Sequence, residues 1–211
     1  MSDRPWVLAT RNAGKLRELR PLFADAGIAV IDLREAGLPE SSEEDALECF
    51  DTFEENALAK ARWFAARVNG LPVVADDSGL EVAALGGAPG VRSKRWSGRS
   101  DISGPALDAA NNALLVERLR GVRDRRAKFV CAAAWRDGAR ELVVRGEVPG
   151  RIVEEEDAHG THGFGYDPFF HADELGMTLA DATVAEKQSV SHRGRAFAEL
   201  LVRLGQLTDC R

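Results

Sequence analysis

Val7-Leu8-Ala9-Thr10-Arg11-Asn12-Ala13-Gly14-Lys15 reads as a buried strand, a tight polar turn and the start of a helix. A second apolar run, Pro72-Val73-Val74-Ala75, is closed by an acidic turn, Asp76-Asp77-Ser78-Gly79. The first stretch offers a lysine and backbone N–H groups to a phosphate. The second offers carboxylates to a divalent metal. Together these are the groups that chemistry on a nucleoside triphosphate requires.

Working outward, apolar runs of strand length recur at 6–9, 29–33, 72–75, 80–85, 129–135, 141–144 and 151–153. Stretches with helical spacing separate several of them, which predicts an α/β fold. The first helix starts near Gly14 and sets Leu16, Leu19 and Phe23 on one face. Pro21 inside it removes a ladder bond and predicts a kink or a split. The second starts at a capping box, Thr52-Phe53-Glu54-Glu55, and carries an apolar stripe of Phe53, Ala57, Ala61, Phe64 and Val68 to a stop at Asn69-Gly70. Asn56 and Lys60 lie one turn apart on it, facing either one ligand or solvent. A third helix is expected from Pro105 to Leu119. A last one begins after Ser189 or Ser191, with Phe197, Leu200, Leu201 and Leu204 on its buried side.

With 211 residues, 45% apolar and 29% charged, the chain suits a single soluble globular domain over 1–211. No apolar run approaches the roughly 20 residues of a membrane span, and the start lacks a signal-peptide pattern. Three widely spaced cysteines, Cys49, Cys131 and Cys210, point to a reducing cytoplasm rather than a disulfide framework. A net charge of −6 argues against a general nucleic-acid binder, although lysines and arginines can still converge on a triphosphate.

Other segments carry chemistry. The lysine turn is not a Walker A loop, since Ala9 stands at the first position of that window and Leu16 follows the lysine. Adjacent Asp76 and Asp77 point in different directions, so one faces the ligand, and Glu48 is a candidate for the second carboxylate. Phe164-Gly165-Tyr166-Asp167-Pro168 places two aromatics and a carboxylate in a glycine-flanked loop, suited to stacking on a purine and reading its edge. Phe169 and Phe170 read as core. Lys187, His192 and Arg193 gather at the start of the last helix, as phosphate or base anchors or as solvated charges. His159, His162 and His171 lack the spacing of a zinc site. Ser78 and His192 lack the nucleophile elbow of a serine hydrolase.

Over nearly its whole length the chain resembles the inosine triphosphate pyrophosphatase family, the non-canonical purine nucleoside triphosphate pyrophosphatases also called dITP/XTP pyrophosphatases. Six ordered blocks carry the resemblance: 10–15; 52–57 with Lys60; 76–80; 86–90; 163–168; and 191–194. It implies Mg²⁺-dependent hydrolysis of ITP, dITP and XTP to the monophosphate and pyrophosphate. It also implies an elongated mixed sheet flanked by helices, two lobes with a central substrate cleft, and a homodimer. By position, Thr10, Arg11, Asn12, Ala13, Gly14 and Lys15 correspond to the phosphate-holding turn. Asp77 corresponds to the metal ligand and general base, and Ser78 to a substrate contact. Phe164, Gly165, Tyr166, Asp167, Lys187, His192 and Arg193 correspond to the base pocket. Glu48 falls where the family has a metal-binding glutamate, with Glu44 the competing position because residues are added around 41–47. Phe50 replaces a frequent glycine, Arg92 replaces a frequent aromatic, and Lys94 adds a phosphate contact. Two rival readings remain: a pyrophosphatase of similar fold for modified pyrimidine or standard triphosphates, and a nucleotide-binding module without turnover.

Overall fold

In the computed structural model, residues 4–154, 158, 160 and 162–209 are described. In chain order the strands are β1 (Trp6–Leu8), β2 (Val30–Asp32), β3 (Val73–Val82), β4 (Arg126–Asp137), β5 (Arg140–Ile152), β6 (Phe170–Ala172) and β7 (Met177–Thr178). The α-helices are α1 (Ala13–Asp25), α2 (Phe53–Ala65), α3 (Gly104–Arg118), α4 (Val184–Val190) and α5 (His192–Asp209). One mixed sheet runs β2-β1-β3-β4-β5-β6-β7. β1 pairs parallel with β2 and β3, while β6 pairs antiparallel with β5 and β7. The α/β expectation is met.

Two compact units divide the chain. The first comprises the residues up to Asp77, Cys131–Gly146 and those from Arg193 onward; the second comprises Ser78–Val130 and Glu147–His192. In the first, Trp6, Leu19, Phe23, Val74, Phe197, Leu200 and Leu204 form the core. There Phe23 meets both Trp6 and Phe197 edge to face, with ring centroids 5.8 and 5.6 Å apart. The second has its own core of Leu80, Val82, Leu115, Phe129, Tyr166 and Phe170 among others.

Several boundaries differ from expectation. Residues 76–79 are not a turn: they lie inside β3, which joins the two apolar runs as one ten-residue strand. The stretch 83–85, expected as strand, is a 3-10 turn capped by Gly86 with φ +63. β5 likewise joins two expected strands through Pro149 and Gly150. α1 continues past Pro21 without splitting. α2 ends at Ala65, before Asn69-Gly70. At its start Thr52 Oγ accepts from the Glu55 N–H, but the Glu55 carboxylate returns to the Thr52 hydroxyl at 2.7 Å rather than to the Thr52 N–H. Two unexpected elements carry functional candidates: a 3-10 turn at Ser42–Glu48 and the short helix α4.

Candidate active site

Alternation along β3 sends Asp76 and Asp77 to opposite faces of the sheet, so one buried acidic pair meets two sets of cations. Lys15 Nζ lies 2.8 Å from Asp76 Oδ2, and Arg193 Nε donates to the same oxygen at 3.2 Å. Arg193 also donates to Glu18, and the Cys131 thiol points at Asp76 from 3.8 Å. Burial alone pushes the Asp76 carboxyl upward, but Lys15 and Arg193 overcome it and hold the carboxyl well below the usual range. Asp76 is therefore charged at neutral pH and fixes the lysine of the 10–15 turn.

Asp77 has different company. Its Oδ1 accepts from Lys60 Nζ at 3.1 Å and its Oδ2 from Asn56 Nδ2 at 3.0 Å. Lys60 Nζ also donates to Glu48 Oε1 at 3.0 Å. Burial raises the Asp77 carboxyl; Lys60 pulls it down, Glu48 pushes it up again, and the net shift is upward. Burial would depress the Lys60 ammonium, but Asp77, Glu48 and Asp76 hold it up, so it stays charged. Asn56 and Lys60 share the inner face of α2 because they are one turn apart, as the spacing implied.

That Asn56 is buried to 0% exposure redirects its role. Its Oδ1 accepts from the Phe50 N–H at 3.0 Å and its Nδ2 reaches the Phe50 carbonyl at 3.3 Å. Its polar atoms are committed to Phe50 and Asp77, which makes it a support for the carboxylate rather than a substrate contact.

Glu44 and Glu48 have different partners. Glu44 accepts from Arg11 Nη2 at 2.8 Å and Nε at 3.1 Å, and closes the capping box with the Ser41 N–H at 3.2 Å. Glu48 shares a cation with Asp77. Arg11 is also turned inward, donating to the carbonyls of Leu38 and Pro39. Asn12 caps α1, its Oδ1 accepting from the Gly14 and Lys15 N–H groups at 2.8 and 3.2 Å. Those two donors, expected to hold phosphate, are taken. An open pocket of about 430 Å³ flanks this turn, lined by Thr10, Arg11, Asp32, Arg34, Leu38 and Pro39 among others; Asp77, Glu48 and Lys60 do not line it.

Two carboxylates converging within about 3 Å of one ammonium suit a hard cation, and magnesium needs only one or two carboxylates with water and phosphate oxygens. Among the described residues no group of three or more His, Cys, Asp or Glu side chains gathers at one point. His159 lies outside the described residues, so its part in the histidine reading has no structural counterpart here.

The second unit holds the aromatic loop. Lys187 Nζ lies 2.6 Å from Asp167 Oδ2 and 5.0 Å from the centroid of the Phe164 ring. The same Asp167 oxygen accepts from the Phe164 N–H at 2.8 Å. Gly163 permits this closure: a Cβ there would stand 2.2 Å from that carboxylate. Tyr166 is not a stacking face, as it is buried in the core with its hydroxyl donating to the Ser93 carbonyl at 2.8 Å. His192 stacks on Phe129 at 4.7 Å, and Lys94 is exposed. Arg193 joins the Asp76 network of the first unit instead of the Lys187 group. Ser78, next along β3, is half-buried. Sequence reasoning missed Glu18, Asp108 and Asn112. The last two sit one turn apart on α3, and that spacing was the available signal.

Residues 6–203 match the model of the Ham1 family. A protein of Burkholderia pseudomallei named dITP/XTP pyrophosphatase is 48% identical over 204 residues, covering 95% of this chain and 93% of its own. One of the same name from Nocardia farcinica is 51% identical over 207 residues, 96% of each chain. A solved HAM1 protein from Coxiella burnetii superposes with a TM-score of 0.80 at 36% identity, covering 96% of this chain and 99% of that one.

Proposed function

The chain belongs to the Ham1 family, and from that premise we propose that it hydrolyses non-canonical purine nucleoside triphosphates, ITP, dITP and XTP, to the monophosphate and pyrophosphate. The observation that carries the reading is the Asp77–Lys60–Glu48 cluster, with Asn56 fixing the second oxygen of Asp77. In this reading the cluster of the first unit handles metal and phosphate, and the loop 164–167 with Lys187 in the second unit is the base-recognition segment that the resemblance implies.

Asp77 and Glu48 would hold Mg²⁺, which when bound neutralises the triphosphate and eases attack at phosphorus. Asp77 accepts the proton of a water whose oxygen bonds to the α-phosphorus, while the bond from that phosphorus to the α–β bridging oxygen breaks and pyrophosphate leaves. Its upward shift moves its basicity toward that task. Lys60 supplies fixed positive charge beside Asp77, where the reaction develops negative charge. Donors turned to the 6-oxo group of hypoxanthine or xanthine oppose the 6-amino donors of adenine. One buried donor left unpaired costs about 1–3 kcal/mol, or roughly 5- to 150-fold in selectivity.

No helix among the described residues is long and apolar enough to cross a membrane. The net charge of −6 supports the absence of a general nucleic-acid partner, and a homodimer working on the cytoplasmic nucleotide pool is what the family resemblance implies. A panel of dITP, XTP, dUTP, ATP and GTP with pyrophosphate detection tests the reading. Turnover concentrated on dITP and XTP, abolished by chelation and restored by Mg²⁺, is expected. Preference for dUTP or the standard triphosphates, or binding without pyrophosphate, would replace it with one of the rival readings.

A further inference from the structure

Gly165 is held from both sides by one face of α3. Its N–H donates to Asp108 Oδ2 at 2.9 Å, and its carbonyl accepts from Asn112 Nδ2 at 3.0 Å. Asp108 and Asn112 are one helical turn apart, so a rigid element presents an acceptor and a donor at the spacing of a single residue's backbone. Gly165 has φ +63, in the left-handed region, and the nearby Gly163 has φ +82. A chain this permissive loses its freedom only where something outside it fixes the peptide groups. Asp167 and Lys187 secure Phe164 from the other end of the same segment.

Asn112 adds a second observation. Its Oδ1 is buried and has no partner among the described residues. A buried amide oxygen without a donor is unfavourable, and an apolar side chain would suit the site better. The bond to Gly165 is what the asparagine contributes there.

We propose that Asp108 and Asn112 are positioning residues for base selection: they fix the Phe164-Gly165 backbone so that the loop meets a 6-oxopurine in one conformation. The proposal rests on the reading that this loop holds the base. Loosening the loop lets it adapt to a 6-aminopurine, so discrimination falls even where turnover persists.

The test compares kcat/KM for dITP and dATP, together with melting temperature, in the full-length wild type, Asn112→Leu, Asp108→Ala and Asp108→Asn. Asn112→Leu is expected to melt at or above the wild-type temperature while the dITP/dATP ratio drops about five- to tenfold, the worth of one hydrogen bond. Asp108→Ala lowers the ratio similarly, and Asp108→Asn, which keeps an acceptor for the Gly165 N–H, recovers most of it. An unchanged ratio in the folded Asn112→Leu and Asp108→Ala variants overturns the proposal, as does a ratio in Asp108→Asn as low as in Asp108→Ala. Should Asn112→Leu fail to fold, the two Asp108 variants decide by the same criteria. A wild type that does not prefer dITP to dATP defeats the base-loop reading itself, a result visible before any variant is made.

Discussion

Asp76 and Asp77 share a peptide bond, and the fold shifts their acidities in opposite directions. The folded state holds Asp76 below its ordinary 3.8, so its stabilising contribution is present above that value and drains away as pH falls beneath it. Asp77 is raised in the folded state, so its contribution has the reverse sign: full below 3.8 and lost as pH climbs through its folded value. Urea unfolding of Asp76→Asn should therefore start from lower stability at neutral pH, with Lys15 and Arg193 left unpaired, and fall less steeply than wild type below 3.8. Equal acid slopes would contradict the assignment. Lys60 presents a second case. Replacing it with Met leaves the buried Asp77 carboxylate and the half-buried Glu48 carboxylate without their shared cation, and loss of one partner from a buried ion pair costs about 3–5 kcal/mol. Magnesium should restore more melting temperature to Lys60→Met than it adds to wild type; an equal gain would mean that Glu48 and Asp77 do not share a cation site. None of this pairing was legible in the sequence. Asn56 and Lys60 could be placed on one helix face, but whether that face met solvent or Asp77 depended on contacts 17 and 21 residues distant.

At the scale of elements, the helices were the easiest to read, since 3.6-residue spacing and end signals are local. The apolar stripe of α2, its cap at Thr52 and the buried side of α5 follow from their own residues. Thr52→Ala should cost about 1 kcal/mol of unfolding free energy through the lost cap, read from urea midpoints; no change would make the cap irrelevant. The strands were harder. Two aspartates, a serine and a glycine resemble a turn because aspartate is rare in strands. β3 nonetheless runs through them, since Lys15 and Arg193 on one face and Lys60 and Asn56 on the other compensate both charges. In β5, the apolar runs 141–144 and 151–153 read as two separate strands, yet the strand continues through Pro149, and Gly150 and Arg151 pair with Ala172 and His171 of β6. Long-range pairing decided both cases.

For the molecule as a whole, a net charge of −6 conceals a local concentration of cations. Lys15, Lys60 and Arg193 are all buried or nearly so, and all are held by carboxylates in the first unit. Composition could exclude a polyanion-tracking surface but could not reveal this cluster, because its members come from distant parts of the chain. The aromatic loop and its α3 anchors form a separate network in the second unit. In the proposed reaction Asp77 is the group that takes the proton from water. Single-turnover pyrophosphate release from dITP, measured beside nucleotide binding in Asp77→Asn, tests it most directly. Binding close to wild type with release lowered by at least about a hundredfold is predicted, in the range of a lost general base; release at the wild-type rate would contradict it.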